Sequence, residues 1–274
     1  MKYLLFSIFT FFISSIYAQD ISWKRHDVNG HITGVTQGPA NKTEESMGKV
    51  KKFKSYYSPN GKRYKKKTSS RKVAKAIIKA QPSMESVKEI IGYSTKAMSK
   101  HRPESELSNW FVDILMAKTE EITGKHVDIG FANFGGIRSD MPKGDICRDD
   151  IMSMFPFANT FYYFTIKGKS IKKVLSNMAT GRMEIIGGIH AVFKDNQLVS
   201  ATINGESIVD DKIYSAATLN FLMDGKGWFR FGQYAIEGFD TKVKIMDAML
   251  QYVEQQTTLG NKIEYKKDGR ITIL

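Results

Sequence analysis

The chain has 274 residues, with 41 Lys and Arg against 28 Asp and Glu and a single cysteine, Cys147. One cysteine excludes an internal disulfide framework, and no apolar run beyond residue 20 is long enough to span a bilayer. The formal net charge of +13 is unevenly placed: residues 49–80 hold thirteen Lys or Arg and no Asp or Glu, and the rest of the chain balances.

Residues 1–18 read as a secretory signal. Lys2 is followed by a short apolar core through Ile16 and by the small residue Ala18. Cleavage after Ala18 is expected, an uncleaved anchor being the alternative, and the mature chain is expected to be exported, to a Gram-negative periplasm. Residues 19–84 form an N-terminal segment, and residues 85–274 the main domain. Within the first, "SPNGK" at 58–62 predicts the turn of a basic β-hairpin. Two readings stand for segment 49–80: a solvated basic face, or a surface for polyanions or an anionic surface. Ser69 and Ser70 are expected to cap a helix ending before Pro82.

Met84, Val87, Ile90, Ile91 and Met98 recur at helical spacing and predict a helix over 84–99. A second helix starts near Pro103, carries Leu107, Trp110, Phe111, Ile114 and Leu115 on one face, and stops at Gly124. "HVDIGFAN" reads as a short buried strand. "ICRDDIMSMF" reads as a short helix capped near Asp149, "TFYYFTIKG" as a strand and "SIKKVLSNMAT" as a helix. "GGIHAVF", "QLVSATING" and "KIYSAATLNFL" read as strands; a helix over 241–256 and a last strand, "RITIL", follow. The irregular alternation predicts an α+β fold rather than a doubly wound one, a mixed sheet with packed helices.

The stretch "FANFGGIRSDMPKGDI" draws most of the functional interest. Gly135 and Gly136 permit a tight turn and close approach of a ligand. Arg138 offers a planar charged fork suited to carboxylate, phosphate or vicinal hydroxyls, and Asn133 a donor and an acceptor. Phe157 and Asn159 follow in "FPFAN". Phe221 lies at a strand end before the loop containing Asp224. Two aromatics on separate loops with Asn and Arg are the parts of a base-and-ribose clamp; core packing is the alternative for each Phe.

Together, "NFGGIR", "GDI", "PFAN" and "KG" in order, with "ESELSNWFVDILMA" before them and "IGGIH" after, resemble the C-terminal substrate-binding domain of periplasmic and cell-surface 5′-nucleotidases. The resemblance covers residues 85–274. It implies that Asn133, Gly135, Gly136 and Arg138 contact a nucleoside, that Phe157 and Phe221 sandwich the base beside Asn159, and that Arg102 matches a further family arginine. It also implies an Asp in a Gly-Gly-Asp-Gly loop. Here "DGKGW" places Gly227 or Lys226 at that position, and Asp224 is the nearest carboxylate.

The family's hydrolytic chemistry sits in a separate metallophosphoesterase domain with two metals. None of the five His (His26, His31, His101, His126, His190) lies in an Asp-x-His, Gly-Asn-His or Gly-His-x-His run. No catalytic residue, metal ligand or cofactor is therefore assigned to this chain. Divalent metals are expected only in a separately encoded metallophosphoesterase partner. The expectation is an exported recognition subunit of a split 5′-nucleotidase that binds a nucleoside or 5′-nucleotide and is inactive alone. A stand-alone nucleoside-binding module with altered ligand, or a polyanion-binding protein acting through 49–80, are the alternatives.

Overall fold

The computed structural model describes residues 48–51, 55–225 and 229–274. The expected signal at 1–18, the start of the N-terminal segment and the Lys226 and Gly227 positions lie outside the described residues. The basic segment folds first into β1 (Lys49–Val50), β2 (Tyr56–Tyr57) and β3 (Arg63–Tyr64), antiparallel in that order. The hairpin turn is the expected one: Ser58 Oγ donates to Asn60 Oδ1, and Gly61 N–H to the Ser58 carbonyl, at 2.5 and 2.8 Å. Helix α1 (Ser69–Ala80) follows. Its capping oxygen belongs to Thr68, which accepts from Arg71 N–H, not to Ser69 or Ser70. Pro82 does stop it, in a 3₁₀ segment Gln81–Lys88.

The helix expected over 84–99 is absent; Ile90–Ser94 is strand β4. Gly92 explains the outcome. A Cβ there would lie 2.6 Å from Val253 Cγ1, so this backbone presses flat against a neighbouring helix. Helix α2 (Glu106–Thr123) matches its expected face, with Leu107, Trp110, Phe111 and Leu115 essentially buried. Its start is set by Ser105, which forms a reciprocal capping box with Ser108, rather than by Pro103. Gly124, left-handed at φ 65°, closes it by donating to the Glu120 carbonyl.

Then come β5 (Ile129–Ala132), a 3₁₀ turn Phe134–Gly136, β6 (Gly144–Cys147), α3 (Arg148–Met154), β7 (Thr160–Lys167) and α4 (Gly168–Thr180). In α3 the bond at the cap runs from Cys147 N–H to Asp150 Oδ2 at 2.7 Å, so the cap lies at Cys147 and not at Asp149. Strands β8 (Ile185–Gly187), β9 (Ile189–Lys194), β10 (Gln197–Ile203), β11 (Glu206–Ser207) and β12 (Ile213–Leu219) supply the β-rich half. A helical turn α5 (Asn220–Met223), strand β13 (Ala235–Lys244), helix α6 (Ile245–Thr258) and β14 (Ile271–Ile273) complete the chain. Residues 241–244, read as helix from the sequence, therefore end an edge strand. Phe221 sits in a helical turn rather than at a strand end.

The main sheet has the order β13-β7-β12-β5-β8, antiparallel except for the parallel β12–β5 pair. A second sheet, β11-β10-β9-β14, and the β4–β6 pair flank it. This is the mixed-sheet α+β architecture that the irregular alternation predicts. Helix α2 lies on the main sheet, and β5 is buried along its whole length beneath it. A polar cluster around a buried arginine ties α2 to the C-terminal strand. Arg270, 6% exposed, donates to both oxygens of Asp113 at 2.8 Å and to both of Asp268 at 2.7–2.9 Å. Burial works against its charge, but the two carboxylates hold the guanidinium above its usual range. Hydrogen bonds from Arg270 hold Asp268 below the usual carboxylate range.

Candidate functional site

The site forms where β5 and β12, parallel neighbours, run out at the same end of the main sheet. Strand β5 delivers Asn133 and the glycine turn. Strand β12 delivers Leu219. The loop after α3 delivers Phe155, Phe157 and Asn159, and α6 starts at Ile245, whose N–H donates to the Asn159 carbonyl at 3.0 Å. Gly136, Phe155, Phe157, Asn159, Leu219 and Ile245 line a small open slot.

Phe157 is 44% exposed, among core phenylalanines that are almost wholly covered. An exposed aromatic on a cleft wall leaves a face open for stacking. Over the same ring stands Arg138, its guanidinium carbon 5.7 Å from the ring centroid. No carboxylate among the described residues is within ion-pair distance of this guanidinium. Its backbone is fixed by Arg138 N–H donating to the Met154 carbonyl at 2.9 Å, which joins the glycine turn to the Phe157 loop.

The glycines serve a purpose the sequence did not show. Neither lies in the left-handed region. A Cβ on Gly135 would lie 3.1 Å from Asn133 Nδ2, and one on Gly136 would lie 3.1 Å from Asn133 Oδ1. The Asn133 amide folds over the turn, and a Cβ at either position would press on it. Asn133 Oδ1 is buried with no donor among the described residues. Such an acceptor marks a place where a ligand or water completes the bonding.

Two side chains that sequence reasoning missed hold this turn. Lys100 Nζ donates to the Phe134 carbonyl at 3.3 Å and to the Ile137 carbonyl. Burial, and then the adjacent Arg138 charge, push the Lys100 ammonium below its usual range, with Asp140 acting against them. Glu184, 3% exposed, accepts from Phe134 N–H at 2.7 Å and Arg102 Nη2 at 2.8 Å, and forms an ion pair with Arg182, Nε at 3.0 Å. Arg102 thus turns to Glu184 and lies 4.6 Å above the Phe134 ring, supporting the turn from behind.

Of the residues singled out from the sequence, the structure brings Asn133, Gly135, Gly136, Arg138, Phe157 and Asn159 together. Phe221 is half-buried against the core cluster, and Asp224 is exposed at the end of α5. Phe155, Leu219 and Ile245 line the cleft without having been singled out. His190 is exposed on β9, alternating with buried neighbours, and Cys147 is buried.

A family model of the 5′-nucleotidase C-terminal domain matches residues 86–233. The trifunctional nucleotide phosphoesterase protein YfkN of Bacillus subtilis is 31% identical over 210 residues, 69% of this chain and 14% of YfkN. Protein UshA of Escherichia coli is 30% identical over 169 residues, 58% of this chain and 29% of UshA. The crystal structure of a 5′-nucleotidase precursor from Thermus thermophilus aligns with a TM-score of 0.65 at 23% identity, over 80% of this chain and 48% of that one. This likeness shows the fold. The chain spans less than a third of these two curated relatives.

Proposed function

This chain belongs to the 5′-nucleotidase C-terminal domain family, and we propose that it is the exported, nucleoside- or 5′-nucleotide-recognising part of a nucleotide phosphohydrolase. The observation that carries the reading is the exposed Phe157 ring at the slot, with the Arg138 guanidinium 5.7 Å from its centroid and no carboxylate among the described residues to pair with it. A base stacks on Phe157. The Asn159 amide reads its edge, and Asn133 answers a hydroxyl. Arg138 meets the anionic or hydroxyl-bearing part, where its fork geometry serves best. Stacking is sequence-tolerant and contributes roughly 1–3 kcal/mol per base, so the slot selects for a nucleobase more than for a particular one.

Among the described residues no group of three or more His, Cys, Asp or Glu is placed to hold a metal ion. They do not fit a two-metal centre, and no hydrolytic step is assigned to them. We assign that half to a separately encoded metallophosphoesterase. No helix among the described residues is long and apolar enough to cross a membrane; export to the periplasm rests on residues 1–18 acting as a signal. Titrating the chain with adenosine, AMP, UMP and a UDP-sugar tests recognition, and mixing it with a metal-loaded phosphoesterase tests the division of labour. Saturable binding and a raised rate on 5′-nucleotides are expected; no binding, or an unchanged rate, contradicts the respective half.

A further inference from the structure

No described residue of the basic segment lines the cleft at Phe157, and its helix has three distinct faces. Arg71 and Ala74 are buried and Ile78 is half-buried, so this row docks on the protein. Val73 is 57% exposed and Ile77, one turn on, is 37% exposed; exposed Ala76 and Ala80 complete an apolar strip on the side away from that row. Lys72, Lys75 and Lys79, all exposed, share a third face bordering the strip. Lys65, Lys66 and Lys67, also exposed, lead into the helix. No Asp or Glu occurs anywhere in 49–80 to offset these charges.

An outward apolar strip beside a row of lysines suits a helix lying in the plane of a bilayer interface. We propose that α1 seats the protein on an anionic lipid surface, Val73 and its neighbours at the acyl boundary and the three lysines among the headgroups. The arrangement favours lipid over nucleic acid. A nucleic acid satisfies the lysines but gives Val73 nothing apolar to bury against. Of the tyrosines that could stack bases, Tyr56 is buried and stacks on Tyr64 at 5.5 Å.

The test is co-sedimentation of the full chain with vesicles of phosphatidylcholine, alone and mixed with phosphatidylglycerol. The same chain carrying K72A/K75A/K79A, or Val73→Asp, serves as the comparison, so every other segment contributes equally. Binding is expected to require phosphatidylglycerol and to weaken with salt. At about 1 kcal/mol per lysine near an anionic surface, the triple variant binds roughly a hundredfold more weakly. Val73→Asp loses most of the binding while its melting temperature stays that of the parent chain, because the position is exposed. Equal binding to both vesicles, or wild-type binding by Val73→Asp, overturns the proposal. So does retention of a single-stranded oligonucleotide by a chain that ignores the vesicles, which reassigns the face to nucleic acid.

Discussion

Glu184 is the side chain on which the glycine turn depends, and its removal has a calculable cost. Glu184→Ala leaves Phe134 N–H, on a residue 3% exposed, without its acceptor at 2.7 Å. An orphaned buried donor costs about 1–3 kcal/mol. Arg102, with a side chain 35% exposed, loses its carboxylate but is rehydrated in part, so that pair contributes about 1 kcal/mol. Arg182 is 55% exposed and adds little. The total, about 3 kcal/mol, lowers a urea midpoint by roughly 1.5 M at a typical slope of about 2 kcal/mol/M. Glu184→Gln keeps an acceptor for Phe134 N–H and is expected to lose less than half as much. Urea unfolding followed by circular dichroism reads both variants. A Glu184→Ala midpoint within about 0.3 M of the parent, at unchanged slope, refutes the claim that this carboxylate anchors the turn.

Further outcomes follow from close contacts and charge. Gly168→Ala places a Cβ 2.0 Å from the Val209 carbonyl oxygen, which only backbone movement relieves, and is expected to cost about 3 kcal/mol or more by thermal unfolding. Asp268 titrates below its unfolded value because Arg270 bonds it. Its stabilisation is therefore complete above the unfolded carboxylate pKa near ~3.9 and is lost as pH falls through the lower folded value. Asp268→Asn is expected to be less stable at neutral pH and to show a shallower loss as pH falls below about 4, read from denaturation midpoints against pH. Arg270→Met strands Asp113 and Asp268, whose side chains are 30% and 46% exposed and so partly rehydrate, and is expected to cost about 1–3 kcal/mol; a midpoint like that of the parent chain contradicts the role given to this cluster.

Much of the fold was legible where local pattern and tertiary context agree. Helix α2 carries its apolar face and its terminal glycine in the sequence, and β7 followed by α4 reads correctly from "TFYYFTIKG" and "SIKKVLSNMAT". Strand β4 was misread because Val87, Ile90 and Ile91 happen to fit a helical spacing. Only Gly92 argued against it, and its reason, a Val253 methyl from α6, lies far along the chain. Strand β13 is an edge strand exposed over most of its length, so it carries no buried alternation to detect.

The same division holds at the site. Asn133, Arg138, Phe157 and Asn159 sit in short motifs whose residue types suit a ligand. Lys100 and Glu184 do not, because their partners are 37 and 50 residues away. Leu219 and Ile245 reach the cleft only through strand order, which places the end of β12 beside β5. The role of the two glycines was legible as close approach but not as approach by Asn133 itself.

The central claim is that the slot at Phe157 takes a nucleobase, and calorimetric titration of AMP into the chain and into Phe157→Ala tests it most directly. Losing about 1–3 kcal/mol of stacking corresponds to an affinity about fivefold to 150-fold weaker. The 44% exposure of the ring leaves the fold itself little affected. Saturable AMP binding that weakens by this factor, in a variant whose melting temperature is close to the parent's, is the predicted result. AMP binding of equal strength in both chains, or none in either, contradicts the account.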